Sequence, residues 1–143
     1  MPIPSDVLSA WQSASLYVQV SERGDEVVLP PASAADRGPG HFLLWPSAWF
    51  VSAGDPLGVP ASEQENARLH AQLLTSVGQS GIAALPARLR GPGLQLEGLL
   101  LRGAGRARAM QLGYKRRQWA VLGVFPDRME VVYTGINSRM QED

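Results

Sequence analysis

The sequence predicts an α+β fold: a ferredoxin-like βαββαβ core with an N-terminal helix and hairpin and an extra C-terminal strand. From Trp49 onward the periodicity of apolar residues changes in the order strand, helix, strand, strand, helix, strand, which is typical of a split βαβ arrangement. Each of the two helical segments carries an apolar stripe that one face of an antiparallel sheet can bury. With 143 residues, 45% of them hydrophobic and 18% charged, residues 1–143 have the size and composition of a single globular domain.

The N-terminal part of the chain predicts a short helix followed by a β-hairpin. Ser5 or Asp6 can cap a helix that runs to about Gln12. Residues 15–21 alternate between apolar and polar side chains, as in a half-buried strand. A turn, a second strand and a loop rich in Pro and Gly are predicted at residues 23–25, 26–29 and 30–40.

The central part predicts an inner strand, a turn and the most strongly signalled helix. Residues 49–53 are apolar enough for an inner strand, and Gly54-Asp55-Pro56 supplies the turn. Ser62 and Glu65 have the spacing of a capping box, in which the serine hydroxyl accepts from the third helical amide. The apolar stripe of this helix consists of Leu69, Leu73 and Val77.

The C-terminal half predicts a hairpin, a second helix and two further strands. Residues 82–90 and 94–102 are joined by Gly91-Pro92-Gly93, a favourable turn sequence. A shorter helix is predicted at residues 103–114. Strands are predicted at residues 118–125 and 129–134, and a frayed polar tail at residues 135–143.

Composition excludes several classes of site. The chain contains no cysteine, so disulfides and thiolate metal sites are excluded. It has no signal-peptide pattern and no apolar run of about 18 residues, so we expect a soluble cytoplasmic protein. The common catalytic motifs are missing, and the two histidines, His41 and His70, lie far apart; His70 is expected to be a surface or half-buried side chain. We therefore expect no cofactor and no metal. These observations also favour a binding protein over an enzyme.

Positive charge is concentrated in one stretch of the chain. Residues 1–87 contain three basic and eight acidic residues, whereas residues 88–118 contain eight basic residues and only Glu97 as an acidic one. Arginine interleaved with the aromatic residues Tyr114 and Trp119 is a combination that can bind phosphates and bases. The alternative is a solvated helix face that the acidic half of the chain neutralises. The candidate anion-binding residues are Arg102, Arg106, Arg108, Lys115, Arg116 and Arg117.

A second set of residues is polar although its surroundings are apolar. Asn66 lies close to the core-facing stripe of the capped helix, Glu97 lies within an apolar strand, and Gln118 opens another. A buried polar group without a hydrogen-bond partner costs about 1–3 kcal/mol, so these groups need partners. They either satisfy one another and a loop backbone, or they form a small pocket. The candidate pocket residues are Asp55, Asn66, Glu97 and Gln118.

The same segments match one family pattern. Its elements in this chain are Ser52-Ala53 with Asp55-Pro56, then Ser62, Asn66 and Leu69, then Glu97, and finally Gln118, Ala120 and Val121, with an opening Trp11 and Tyr17. Together they resemble the signature of a bacterial and phage family known as domain of unknown function number 3293, in which Asn-Pro stands where this chain has Asp55-Pro56. The resemblance implies a shared fold and directs attention to Asn66, Glu97 and Gln118. It implies no reaction.

These residues support three functional hypotheses. The first is a binding module that recognises an anionic partner, either nucleic acid or an acidic protein surface, through residues 102–117. The second is a small-molecule-binding protein or enzyme with a polar pocket around Asn66, Glu97 and Gln118. The third is homo-oligomerisation through apolar surface around Trp45, Trp49 and Phe50.

Overall fold

The computed structural model describes residues 3–32, 47–126 and 128–136, and within them the predicted α+β class is confirmed. The predictions for residues 33–46, which include His41 and Trp45, and for residues 137–143 fall outside the described residues. The helices are α1 (Ser5–Ser13), α2 (Glu63–Gln79) and α3 (Arg106–Lys115). The strands are β1 (Ser15–Gln19), β2 (Glu26–Leu29), β3 (Ala48–Ser52), β4 (Ala83–Gly91), β5 (Leu94–Arg102), β6 (Ala120–Val124) and β7 (Met129–Tyr133).

The seven strands form one antiparallel sheet in the order β2-β1-β4-β5-β3-β6-β7. Helix α1 contacts both β4 and β7, although β5, β3 and β6 lie between those two strands. The sheet must therefore curl around α1, whose side we call the inner face. Helices α2 and α3 pack on the opposite, outer face, α2 against β4 and β5 and α3 against β3 and β6.

The inner face forms the larger part of the core and buries one set of alternate residues of β5. Leu96 and Leu100 of β5 face inward and are buried, and they join Phe50 of β3 in one cluster. Trp11 of α1 is 2% exposed, and its ring centroid lies 6.2 Å from that of Phe50. Helix α1 thus closes a core that is built from alternate strand residues.

The outer face buries the other set of alternate residues under the two longer helices. Leu99 and Leu101 of β5 pack with Trp49 of β3, and the predicted helix stripe supplies Leu73 and Val77. Trp49 is 2% exposed and Phe50 is fully buried. Neither of these two aromatic residues provides the apolar surface that the oligomerisation hypothesis requires.

One glycine fixes how closely β5 approaches β3. A Cβ atom at Gly98 would lie 2.2 Å from the carbonyl oxygen of Val51 and 2.9 Å from Cε1 of Phe50. Any larger residue at this position would push the two strands apart or displace Phe50.

Helix starts differ in part from the prediction. Ser62 caps α2 as predicted, because its hydroxyl accepts from the Glu65 amide at 3.1 Å. By contrast, α1 begins after Pro4 with no side-chain cap, so the predicted capping by Ser5 or Asp6 is wrong.

At the C-terminal end of the described residues, Ile136 is 3% exposed, and the Tyr133 hydroxyl donates to its carbonyl oxygen. The chain therefore remains packed through Ile136.

Within the described residues, no helix combines the length and the apolar character that crossing a membrane requires.

Candidate functional site

The turn between β3 and α2 has an unusual backbone. Asp55 (φ 44°, ψ 65°) and Leu57 (φ 57°, ψ 22°) both adopt the left-handed region, which residues other than glycine rarely occupy. Conformations of this kind cost about 1–3 kcal/mol each and persist only where surrounding contacts hold them. The contacts that hold this turn come from α2 and from the segment between α3 and β6.

On the α2 side, Asp55 and Asn66 form a reciprocal pair. The Asp55 backbone N–H donates to Oδ1 of Asn66 at 2.9 Å, and Nδ2 of Asn66 donates to Oδ1 of Asp55 at 2.9 Å. The same carboxylate oxygen accepts from the Ala61 backbone N–H at 2.9 Å. The side chain of Asn66, predicted to point inward, therefore supplies a hydrogen-bond partner to both the backbone and the side chain of Asp55.

On the α3 side, three consecutive residues tie the turn to the start of β6. Nε2 of Gln118 donates to the Gly54 carbonyl oxygen at 2.9 Å, and the Leu57 N–H donates to the Arg117 carbonyl oxygen at 2.7 Å. Nε1 of Trp119 donates to the Leu57 carbonyl oxygen at 2.9 Å. No local pattern in the sequence links the backbone of Arg117 or the indole N–H of Trp119 to a turn some sixty residues earlier.

Three of the four candidate pocket residues thus meet at this turn, and the fourth does not. Glu97 is exposed on the outer face of β5, so its predicted burial is wrong. Alternation along β5 turns Glu97 away from the inner core, and α2 and α3 leave that part of the outer face uncovered. The neighbouring Ser52 is the buried polar group here: its hydroxyl donates to the Glu97 carbonyl oxygen at 2.7 Å.

Glu97 instead lines an open groove of about 290 Å³ on the outer face. Arg88, paired with Glu97 across β4 and β5, forms a salt bridge with Glu26 at 2.6 Å. The guanidinium of Arg88 lies 5.8 Å from the centroid of the Tyr17 ring. His70 borders the groove and is half-buried, in agreement with the prediction. Its Nδ1 is buried, with no hydrogen-bond partner among the described residues.

A separate cavity of about 220 Å³ lies beside the Asp55 turn, where α1 approaches the β4–β5 turn. Asp55, Gln118 and Trp119 line it from the turn side, and Asp6 and Trp11 from α1. The polar network around Asp55 therefore borders a concave space, but that space does not include Glu97.

The candidate basic residues differ in whether their side chains bond to a carboxylate or to neutral groups. Arg106 donates to both carboxylate oxygens of Glu130 at 3.1 Å, and its guanidinium lies 5.6 Å from the Trp49 ring centroid. Arg108 instead donates to two neutral groups, the hydroxyl of Ser80 at 2.8 Å and the side chain of Gln111 at 3.4 Å.

Arg116 is also held by neutral partners, all of them on α2. It donates to the side chain and the carbonyl oxygen of Gln72 at 3.5 Å and 3.4 Å and, through Nη2, to the Ser76 hydroxyl. The side chains of Lys115 and Arg117 are exposed at the end of α3. Arg102 is exposed at the end of β5, before α3 begins. The length of α3, about 15 Å, therefore separates it from Lys115 and Arg117.

Beyond the first turn of α2, which carries Glu63 and Glu65, the charged residues of the helical layer are all basic. Residues 66–81 and 103–118 contain six basic residues and no acidic one. At the margin of this layer, Arg68 forms a salt bridge with Glu65 at 2.5 Å, and the hydrogen bond from Arg68 lowers the pKa of the Glu65 carboxylate. The other two arginines of the basic stretch, Arg88 and Arg90, lie on β4 beside Tyr17, and Arg88 lines the open groove.

Comparisons with protein-family models, with curated proteins and with solved structures found no match. In residues 3–32, 47–126 and 128–136, no three His, Asp or Glu side chains lie together as metal ligands would.

Proposed function

We propose that this protein is a binding module that recognises an anionic partner, nucleic acid, through the outer surface of α2 and α3. We call this surface the basic face; it consists of Arg108, Lys115, Arg116 and Arg117. The observation that carries the proposal is that residues 66–81 and 103–118 contain no acidic residue and that these four side chains form no salt bridge with a carboxylate of any described residue. Such a surface attracts a polyanion and increases its association rate.

The hydrogen bonds within the basic face orient guanidinium groups without neutralising them. Ser80 holds Arg108, and Gln72 and Ser76 hold Arg116, and none of these partners carries a charge. An arginine has five N–H donors, so both side chains retain donors for a phosphate. Arg106 and Arg68 differ, because Glu130 and Glu65 neutralise them, and we exclude both from the binding surface.

The arrangement of these charges favours an extended polyanion over a single phosphate group. Arg116 contacts α2 at residues 72–76, and Arg108 contacts Ser80 at the C-terminal end of the same helix. At 1.5 Å per residue, residues 72–80 span about 12 Å. A nucleic acid backbone presents phosphates continuously over such a length.

Fluorescence anisotropy with labelled single-stranded and duplex oligonucleotides over a series of salt concentrations tests the proposal. We expect affinity to fall as salt rises, with a slope of roughly −0.7 to −0.9 per phosphate contact. Arg108→Gln and Arg116→Gln should each weaken binding for all sequences and reduce the slope by about 1. Arg23→Gln, an exposed substitution in the β1–β2 turn with the same change of charge, is the matched control.

Two outcomes would remove the proposal. The first is binding that does not depend on salt, and the second is a loss of affinity in Arg23→Gln equal to that in Arg116→Gln. Polyglutamate competing as well as an oligonucleotide of equal charge would instead point to an acidic protein surface, the other partner class that the sequence suggested.

The proposal extends to three further points, which are the ferredoxin-like fold, the family and the location in the cell. The order β6-β3-β5-β4, with α2 and α3 on one face, supports a ferredoxin-like unit within the larger sheet. The strand, turn and capped helix at residues 48–79 support the relationship to domain of unknown function family 3293, a bacterial and phage family. A cytoplasmic location remains part of the proposal, as the sequence predicts.

A further inference from the structure

The cavity beside the Asp55 turn offers hydrogen-bond acceptors that lack donors. Oδ1 of Asp55 accepts two hydrogen bonds, from Ala61 and Asn66, but its Oδ2 accepts none from any described residue. Gln118 is 3% exposed and donates through Nε2 to two backbone carbonyls, whereas its Oε1 receives no hydrogen bond from the described part of the chain. Neither oxygen is among the fully buried atoms without a partner, so a donor that enters from outside the protein can reach both of them.

Two donors of the cavity wall are already used, and the exposed side-chain amide of Gln95 is a further donor in the wall. The indole N–H of Trp119 donates to the Leu57 carbonyl oxygen. The Asp55 N–H donates to Asn66. The remaining charged residue of the wall is Asp6, which is exposed on the first turn of α1 and adds a second carboxylate. None of the described residues that line the cavity is a lysine, arginine or histidine.

The rest of the wall, apart from Gln95, consists of apolar and aromatic side chains and of glycine and proline. Leu94 and Leu96 of β5 and Val7 and Ala10 of α1 line it, together with Trp11. The ring of Trp119 is held in place by stacking on Tyr133, with centroids 6.3 Å apart and planes 24° apart. Aromatic faces next to carboxylates attract organic cations, and the apolar side chains can bury a short hydrocarbon body.

We propose that this cavity binds a small primary amine in its ammonium form. Its N–H groups donate to Oδ2 of Asp55 and Oε1 of Gln118, and its apolar body lies against Trp11 and Leu96. The cavity of about 220 Å³ is smaller than the roughly 300–1,000 Å³ of sites for drug-sized ligands, which sets the size of the amine. This site lies apart from the basic face and does not depend on the function proposed above.

The turn network gives the site its geometry. The left-handed conformation of Asp55 is fixed by Asn66 and Ala61, so one carboxylate oxygen is held by the protein and the other is left for a ligand. Gln118 is held in the same way, with its amide nitrogen bound to Gly54 and Arg116 and its oxygen left over. Acceptors positioned in this manner lose little conformational entropy on binding.

Isothermal titration calorimetry with phenethylammonium chloride tests the proposal, and tryptophan fluorescence provides a second readout because Trp11 and Trp119 line the cavity. We expect saturable one-to-one binding and a fluorescence change. 2-Phenylethanol has the same apolar body without charge, and phenethyltrimethylammonium has the charge without N–H donors. Both should bind at least about tenfold more weakly, as expected when a charge-assisted hydrogen bond is lost.

Asp55→Asn is the decisive variant. Asparagine tolerates the left-handed conformation and retains an oxygen for Ala61 and Asn66, so the turn should fold, while the charge is removed. We expect affinity for phenethylammonium to fall about tenfold or more, since a charged acceptor becomes neutral. Asp6→Asn, at an exposed position, should reduce affinity by about two- to fivefold. Glu22→Gln, an exposed substitution with the same change of charge, should leave affinity unchanged.

Three results would overturn the proposal. These are no binding of phenethylammonium to the wild-type protein, equal binding of 2-phenylethanol, and unchanged affinity in Asp55→Asn. If circular dichroism shows that Asp55→Asn does not fold, Asp6→Asn decides the question, and unchanged affinity in that variant refutes the site.

Discussion

Replacement of Asn66 by alanine tests whether the β3–α2 turn is held by the contacts described above. The substitution removes the acceptor of the Asp55 N–H and a donor to the Asp55 carboxylate, both at 2.9 Å. A hydrogen bond between neutral groups contributes about 1 kcal/mol, and one to a charged group about 1.5–3 kcal/mol. Because Asn66 is half-buried and water can replace part of these bonds, we expect a loss of about 2–3 kcal/mol in the free energy of unfolding.

Urea denaturation followed by circular dichroism measures this loss. We expect a lower midpoint with an unchanged m-value, and a Tm lower by roughly 6–12 °C for a chain of this size. Gln64→Ala, an exposed substitution on the first turn of the same helix, should change stability by less than about 0.5 kcal/mol. If Asn66→Ala is as stable as Gln64→Ala, the reciprocal pair does not hold the left-handed turn, and our account of the site is refuted. A double-mutant cycle with Asp55→Ala should give a coupling energy of at least about 0.5 kcal/mol, because the two side chains are in direct contact.

Three further predictions concern the sheet, the helix and a surface ion pair. Gly98→Ala should destabilise the protein by roughly 3 kcal/mol or more, because its Cβ would lie 2.2 Å from a β3 carbonyl oxygen. Gly78→Ala in α2 is its control: a Cβ there meets nothing within 4 Å, so urea denaturation should show a gain of about 0.5–1 kcal/mol. Ser62→Ala should cost about 1 kcal/mol in the same assay through loss of the helix cap, and an unchanged midpoint would contradict the cap. NMR titration should find the Glu65 pKa below its usual value and returned towards it in Arg68→Gln. The corresponding stabilisation is present above the usual glutamate pKa and fades as pH falls through the lowered one. An identical Glu65 titration in both proteins would show that the ion pair does not form in solution.

Much of the fold could be predicted because its signals are local. The capping box needs only Ser62 and the Glu65 amide three residues later, and the two faces of β5 follow from alternation along nine residues. The turn at Pro92-Gly93 and the apolar stripe of α2 are equally local. Where the local signal was ambiguous the prediction was wrong, as at the start of α1, where Pro4 precedes a helix with no side-chain cap.

The candidate site could be predicted only in part. Alternation along β5 places Glu97 on the face opposite Leu96. Which portions of that face α2 and α3 cover cannot be read from a local pattern in the sequence. The structure leaves the side chain of Glu97 exposed, and this excludes it from the polar network. Likewise, a run of arginines predicts positive charge, but only packing decides that Glu130 neutralises Arg106 whereas Ser80 holds Arg108 without neutralising it.

The sequence by itself determined the order of helices and strands, the inward position of Asn66 and the concentration of positive charge in one stretch. Tertiary structure alone decided that Gln118 reaches the Gly54 carbonyl, a contact that spans 64 residues. The physical reason is one of range. Helix caps, turns and alternation depend on neighbours within a few residues, whereas a cavity wall or the partner of a charge depends on which distant segments the folded sheet brings together.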